Sequence, residues 1–354
     1  MKIVFYPITN DDYNSYLGII KKAIKMSDPL IEFVKIPGFF NFYRWKKIKI
    51  FWLNWFENLD NRNLFRLFKG LINKLLIILY CKLFGIKLMM VFHNGMPHDP
   101  KYNIEKIFYR FLLKVSNKIL ILSNISKNVI KRDFGRGLLK KIILIPHPCY
   151  TLDEKKYLQS PHRFTVLFMG LIRPYKNLEM IIDLASKYRD ISFIIAGKPL
   201  SEKYLADILN EIKQLDNVEL YAKYLSDEEM DNFINLADIM ILPYNTATSI
   251  NSGVAMYALS KGINIIIPFI GTIEMLKNKD KVYHYSYDSG EDHMVKLEEV
   301  LLKSRYDFSN DYNKFISNSQ QLRSEVIHSF SVEKISDFID KSGILKLKNK
   351  TDKK

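Results

Sequence analysis

Apolar residues in this chain follow two alternating rhythms. Short unbroken runs such as Lys87 to Phe92, Ser192 to Ala196, Ile239 to Leu242 and Ile263 to Ile267 read as strands buried on both faces. Between such runs apolar positions recur at three and four, as in Leu178, Ile181, Ile182 and Ala185, or Met230, Phe233, Ile234 and Ala237. Buried strands alternating with amphipathic helices predict parallel sheets covered by helices on both sides. Lys2 to Tyr6 opens the first series, and Ile119 to Leu122 and Ile142 to Ile145 close it. A polar stretch near 151–162, with Pro161, reads as a linker. The expected organisation is a first domain over 1–157, a second over 158–325, a helix over 326–345 and a Lys-rich tail over 346–354. Ser226 with Glu229 spells a capping box, and Gly262 ends another helix.

Ligands of open parallel sheets bind beyond the carboxyl ends of the strands. The strand around Leu167 to Met169 runs into Gly170-Leu171-Ile172-Arg173-Pro174-Tyr175-Lys176, and a helix is expected at once. Free N–H groups and the dipole of a helix start, joined by two cations, make an anion site that suits a diphosphate. Gly197, Tyr244, Ser252, Gly253 and Glu274 fall at other strand ends of the same half.

Taken in order, these pieces are strand-Gly-x-x-Arg-x-x-Lys, Ile195-Ala196-Gly197, Ala237-Asp238-Ile239-Met240-Ile241-Leu242-Pro243, a Ser252-Gly253 helix and strand-Pro268-x-x-Gly271-x-x-Glu274. Over residues 160–280 the order resembles the donor half of a GT-B glycosyltransferase close to family 4, also called group 1. The resemblance implies an α/β protein of two Rossmann-like domains facing a central cleft, acting as a metal-independent hexosyltransferase. It implies that Gly170, Arg173, Lys176, Ser252 and Gly253 hold a donor diphosphate. It places Gly197, Lys198, Tyr224, Leu225, Tyr244, Ser249 and Glu274 toward the nucleoside and sugar. The family's two acidic positions, eight apart, correspond here to Ser249 and Tyr257, so the phosphate end is better supplied than the sugar end.

Charge separates the halves. Residues 1–157 hold 28 Lys and Arg against 11 Asp and Glu, a net of +17, whereas residues 158–354 hold 25 against 27. A basic module beside a neutral one points to an anionic partner for one half only. Arg44 to Phe56 contains all three tryptophans, and 62–84 has helical spacing. In that helix Leu64, Phe65, Leu67, Phe68, Leu71, Ile72 and Leu75 are expected on one side, and Arg62, Arg66, Lys69 and Asn73 on the other. Two readings fit: a helix packed on its sheet with a solvated basic face, or an interfacial helix on anionic lipid. The charge of the whole half favours the membrane. The apolar stretch from Leu75 to Phe92 is interrupted by Lys82, Gly85 and Lys87 and does not read as a spanning helix.

In the first half Lys87 to Phe92 runs into His93-Asn94-Gly95-Met96-Pro97-His98-Asp99. His93, at a strand end, is the candidate catalytic residue, able to hold a donor group or take a proton from an acceptor. Asn94 and His98 are candidate acceptor-side residues, with Asn14 and Tyr16 from the polar turn after the first strand. His98 fits a ligand contact and a structural loop equally well, and the polar turn could serve the acceptor or cap the helix near Tyr16. His147 reads as a packing or hinge residue. Two cysteines, Cys81 and Cys149, suit a reducing compartment.

The sequence has no Asp-x-Asp, His-Glu-x-x-His, Cys-x-x-Cys or Walker A pattern. The expectation is a cytoplasmic enzyme, peripheral on the inner face of the plasma membrane. It would move a sugar from a nucleotide-diphosphate sugar to a glycan or lipid-linked oligosaccharide in surface polysaccharide synthesis, as for lipopolysaccharide or capsule. No cofactor beyond the donor and no nucleic acid are expected. The alternatives are a sugar-nucleotide epimerase or hydrolase of the same fold, and a non-enzymatic binder of anionic lipid or nucleic acid that uses only the basic half.

Overall fold

The computed structural model describes residues 1–8, 15–97, 100–157 and 162–346. Asn14, His98, Asp99, residues 158–161 and the tail from 347 therefore lie outside the described residues. The chain forms two compact units, one of 1–148 with 332–354 and one of 149–331. The first unit thus closes at Pro148, ahead of the expected 157, and regains the chain at Val332.

The first unit contains β1 (Lys2–Tyr6), α1 (Ser15–Ser27), β2 (Glu32–Phe33), α2 (Phe42–Lys47), β3 (Ile48–Leu53), α3 (Leu64–Leu83), β4 (Lys87–Phe92), α4 (Asn103–Val115), β5 (Lys118–Ile121), α5 (Asn124–Asp133) and β6 (Ile142–Leu144). Its six strands are parallel in the order β2-β1-β3-β4-β5-β6. Side chains alternate across a strand, so Ile3 and Phe5, Met89 and Val91, and Leu120 and Leu122 share one face. They join Leu17, Ile20 and Ile24 of α1 in one core. Because both faces are covered, β4 is apolar at every position after Lys87, in keeping with its unbroken run.

The second unit contains β7 (Thr165–Met169), α6 (Leu178–Lys187), β8 (Ser192–Ala196), α7 (Glu202–Ile212), β9 (Val218–Tyr221), α8 (Asp227–Leu236), β10 (Ile239–Ile241), α9 (Gly253–Lys261), β11 (Asn264–Pro268), α10 (Gly271–Glu274), β12 (Tyr283–Tyr285), α11 (Gly290–Asn310) and α12 (Tyr312–Phe330). Its sheet is again six parallel strands, ordered β12-β11-β10-β7-β8-β9. The expected capping box forms, with Ser226 Oγ accepting from Glu229 N and the Glu229 carboxylate accepting from Ser226 N. Gly262 ends α9 in the left-handed region, at φ 81°. Buried Asp238 ties the starts of β7 and β10 by accepting from Thr165 N at 2.8 Å.

The last helix, α13 (Val332–Ser342), belongs to the first unit, where Ile335 and Ile339 are fully buried in the core around α1. No helix among the described residues is long and apolar enough to cross a membrane.

Candidate functional site

The strand order of the second unit reverses between β7 and β10, so a crevice opens where their carboxyl ends diverge. The expected phosphate residues gather there. Two glycine turns meet backbone to backbone at the ends of β7 and β8. Gly170 and Gly197 hold φ at 148° and 150°, and a Cβ on Gly197 would fall 1.8 Å from the Gly170 carbonyl oxygen. No side chain fits at Gly197 without moving the chain. Gly170 N donates to Ala196 O at 3.0 Å, and Ile172 N donates to the Lys198 carbonyl at 3.0 Å. The start of α9 lies alongside, since a Cβ on Gly170 would stand 3.8 Å from Val254 Cγ2.

Past Gly170 the chain reaches α6 through a tight turn that holds Arg173 and Lys176 just ahead of the helix. Residues 174–176 make a 3-10 turn, and Asn177, at φ 53°, reverses into α6 from the left-handed region. Pro174 favours that tight turn, and Asn tolerates the left-handed region better than most residues. The turn carries the Lys176 ammonium 3.6 Å from the centre of the Tyr244 ring, while Asn177 Nδ2 donates to Pro243 O at 2.7 Å. Both contacts join the end of β7 to the end of β10. Burial, with the nearby Arg173 charge, lowers the Lys176 pKa to about 7. A second helix start, that of α9, lies beside the Gly170 turn. Ser252 caps it by accepting from Ala255 N at 3.0 Å, and its own N–H donates to Thr272 Oγ1 at 2.8 Å.

The remaining second-unit candidates are more dispersed. Lys198 is exposed next to Gly197. Gly197 N donates to Tyr221 O, so the loop bearing exposed Tyr224 and buried Leu225 leaves the neighbouring strand end. Ser249 is buried, its N–H bonded to Asn245 O at 2.9 Å, and Glu274 ends α10, partly exposed. At the other missing acidic position, Tyr257 donates to Asp231 of α8 at 3.1 Å, and Asp231 also pairs with buried Lys261 at 2.6 Å. A carboxylate thus stands beside residue 257 although residue 257 is not one.

In the first unit the strand order reverses between β1 and β3, and His93 lies at the end of β4, one strand on. Its ring is buried and stacks on Trp55, with centroids 4.4 Å apart and planes at 14°. Tyr16 meets His93 edge-on at 5.6 Å and lies 4.8 Å from His147. Asn94 accepts from the Tyr109 hydroxyl through its carbonyl at 2.5 Å. Burial drives the His147 pKa down to about 4, which suits a packing residue. Sequence reasoning missed Trp55, which is in the left-handed region at φ 50°. The available signal was its place just past a strand at the reversal point. Asn54 fixes the turn by donating through Nδ2 to Tyr6 O at 2.9 Å. Lys74 of α3 donates to Phe56 O at 2.8 Å and to Asn58 O. Glu57 is buried between them in sequence, and burial raises its carboxyl pKa to about 7.

The tryptophans and the 62–84 helix also depart from expectation. Trp45 and Trp52 are core residues, at 0 and 1% exposure. In α3 only Leu67 and Leu71 of the expected apolar side are buried, joined by Ile77, Ile78 and Cys81. Leu64, Phe65, Phe68, Ile72 and Leu75 face outward. Among the described residues no group of three or more His, Cys, Asp or Glu is placed to hold a metal ion.

Residues 151–321 match the family described as glycosyl transferases, group 1. The GDP-mannose:glycolipid 4-beta-D-mannosyltransferase of Xanthomonas campestris pv. campestris is 22% identical over 201 residues, 55% of this chain. That match spans only 53% of the relative, about half its length. Among solved structures, Anabaena HepE in complex with UDP and glucose has a TM-score of 0.69 at 14% identity, covering 97% of this chain and 99% of its own. Sucrose-phosphate synthase from Thermosynechococcus elongatus has a TM-score of 0.66 at 11% identity, covering 96% and 97%. The two six-stranded parallel units are those of the GT-B fold, and residues 151–321, just under half of the chain, match the group 1 glycosyl transferases.

Proposed function

We propose that this chain is a hexosyltransferase that moves a sugar from a nucleoside diphosphate sugar to a hydroxyl of a glycan carried on lipid. The observation that carries the reading is the convergence at the β7/β10 reversal. There the Gly170 and Gly197 turns, the capped start of α9 and the Lys176 ammonium over Tyr244 share one crevice. The positive end of the α9 dipole and a cation fixed before the ligand arrives would stabilise the charge that grows on a departing diphosphate. Arg173 and Lys176 neutralise it, and the reaction so written needs no metal or cofactor. His93, held by Trp55 and Tyr16, takes the acceptor hydroxyl proton or holds a donor group. Gly197, Lys198, Tyr224, Leu225, Ser249 and Glu274 border the nucleoside and sugar, and Tyr16 and Asn94 the acceptor.

The basic first unit and the glycolipid named for the Xanthomonas relative support a lipid-linked acceptor on an anionic membrane. Work on the cytoplasmic face, in surface polysaccharide synthesis, follows from that acceptor. The test is thermal denaturation with UDP, GDP, CMP and TDP, beside an Arg173→Ala/Lys176→Ala variant. A ligand that binds only the folded state raises its melting temperature. One diphosphate should stabilise the parent and not the variant. No stabilisation by any nucleotide in a folded sample would refute the reading. Release of free sugar without acceptor would instead point to a hydrolase.

A further inference from the structure

α3 carries an apolar stripe on its outward side. Phe65, Phe68, Ile72, Leu76, Leu79 and Leu83 are spaced by three and four, and each is between 38 and 77% exposed. At about 100° per residue they share one face, turned away from the buried stripe of Leu67, Leu71, Ile78 and Cys81. The stripe does not stop at the helix end. Phe42 of α2 stacks over Tyr80 with ring planes at 3°, and beside it Phe40 and Tyr43 are 92 and 68% exposed. The helix therefore has three stripes: one in the core, one apolar and open, and one of Arg66 and Lys69 along its edge, with Arg62 paired to Asp60 just ahead of it.

Resting on the lipid-linked acceptor proposed above, we infer that the outer face of α3, extended by Phe40 and Phe42, docks in the interface of an anionic bilayer. A helix of 20 residues is about 30 Å long, and with cations along one flank it suits lying in the interface plane. Charge selects lipid over a second copy of this chain. The exposed side of α3 carries Arg66 and Lys69 and no acidic residue, whereas Lys74 turns inward to the Phe56 carbonyl, so pairing two copies would set cation against cation. Anionic headgroups would neutralise the same flank.

The test is flotation of the full chain with vesicles of phosphatidylcholine alone or mixed with phosphatidylglycerol. The parent should float with the mixed vesicles, and less as salt rises. Phe68→Asp/Ile72→Asp changes side chains that are already half exposed, so the fold should survive, as circular dichroism would report. That variant should lose roughly tenfold or more of its vesicle binding while keeping nucleotide stabilisation. Flotation equal to the parent's would overturn the inference. So would a parent that never floats, or a parent dimer that the substitutions split without changing flotation. Loss of nucleotide stabilisation in the parent, with flotation intact, would fault the transferase reading and leave the docking face standing.

Discussion

Lys176 gives the proposed diphosphate site a pH signature. Burial and the Arg173 charge lower its pKa from 10.5 to about 7 in the ligand-free protein. Between those values the unfolded chain holds a proton that the native state has shed. Native stability therefore falls as pH drops from 10.5 to 7, and below that the full cost of ~5 kcal/mol remains. A diphosphate placed against the ammonium requires it charged, so binding above pH 7 must take up a proton. About half the molecules carry that proton at pH 7 and about one in a hundred at pH 9, so the apparent Kd should weaken ~50-fold across the window. Phosphate's own second ionisation, near pH 6, lies below it. Isothermal titration calorimetry in two buffers of different ionisation enthalpy measures the affinity and the proton uptake together. Uptake should rise from about half a proton per nucleotide at pH 7 toward about one at pH 9. Lys176→Arg keeps a permanent cation and should flatten the profile. A parent affinity that is constant from pH 7 to 9, with no proton uptake, would refute the placement of the diphosphate on Lys176.

Two further substitutions test the scaffold. Gly197→Ala drives a methyl into the Gly170 carbonyl at 1.8 Å and strains φ, costing ~2–5 kcal/mol, whereas Gly170→Ala meets only Val254 at 3.8 Å and should cost ~1–3 kcal/mol. Thermal denaturation of the two should rank them in that order, and equal losses would contradict the backbone-to-backbone contact. Glu57 titrates near 7 in the folded protein against an ordinary 4.5, so the native state keeps a proton that the unfolded chain releases. Its contribution to stability therefore declines as pH rises through that window, and Glu57→Gln should gain about 1–3 kcal/mol on the parent between pH 5 and 8. Urea unfolding at both pH values measures this, and parallel profiles would count against it.

Features set by local chemistry could be read from the sequence. The strand runs, the Ser226 capping box, the Gly262 helix stop and the glycines after β7 and β8 each follow from what a few neighbouring residues can do. The direction in which a doubly apolar helix faces could not be read so. α3 has apolar residues around most of its circumference, and periodicity alone does not say which stripe meets the sheet; Leu67 and Leu71 do, and Phe65, Phe68 and Ile72 do not. The 3-10 turn before α6 was hidden for a similar reason. The helical spacing starts at Leu178, but the backbone of 173–177 is fixed by contacts to Pro243 and Tyr244, some seventy residues on. Trp55 read as one more aromatic of a basic segment until the sheet order placed it beside His93.

The return of α13 to the first unit has a consequence for synthesis. Ile335 and Ile339 complete the core formed by Leu17, Ile20 and Ile24 of α1, yet the ribosome makes every residue from Cys149 to Ser331 in between. At ~5–20 residues per second the seat on α1 stays uncovered for roughly ten to forty seconds after its own strands emerge. During that interval the nascent first unit shows a greasy notch to chaperones and to other nascent chains. A message or product cut short anywhere before Val332 would leave it open permanently. Such truncated chains should be cleared or aggregate even when the second unit within them is whole.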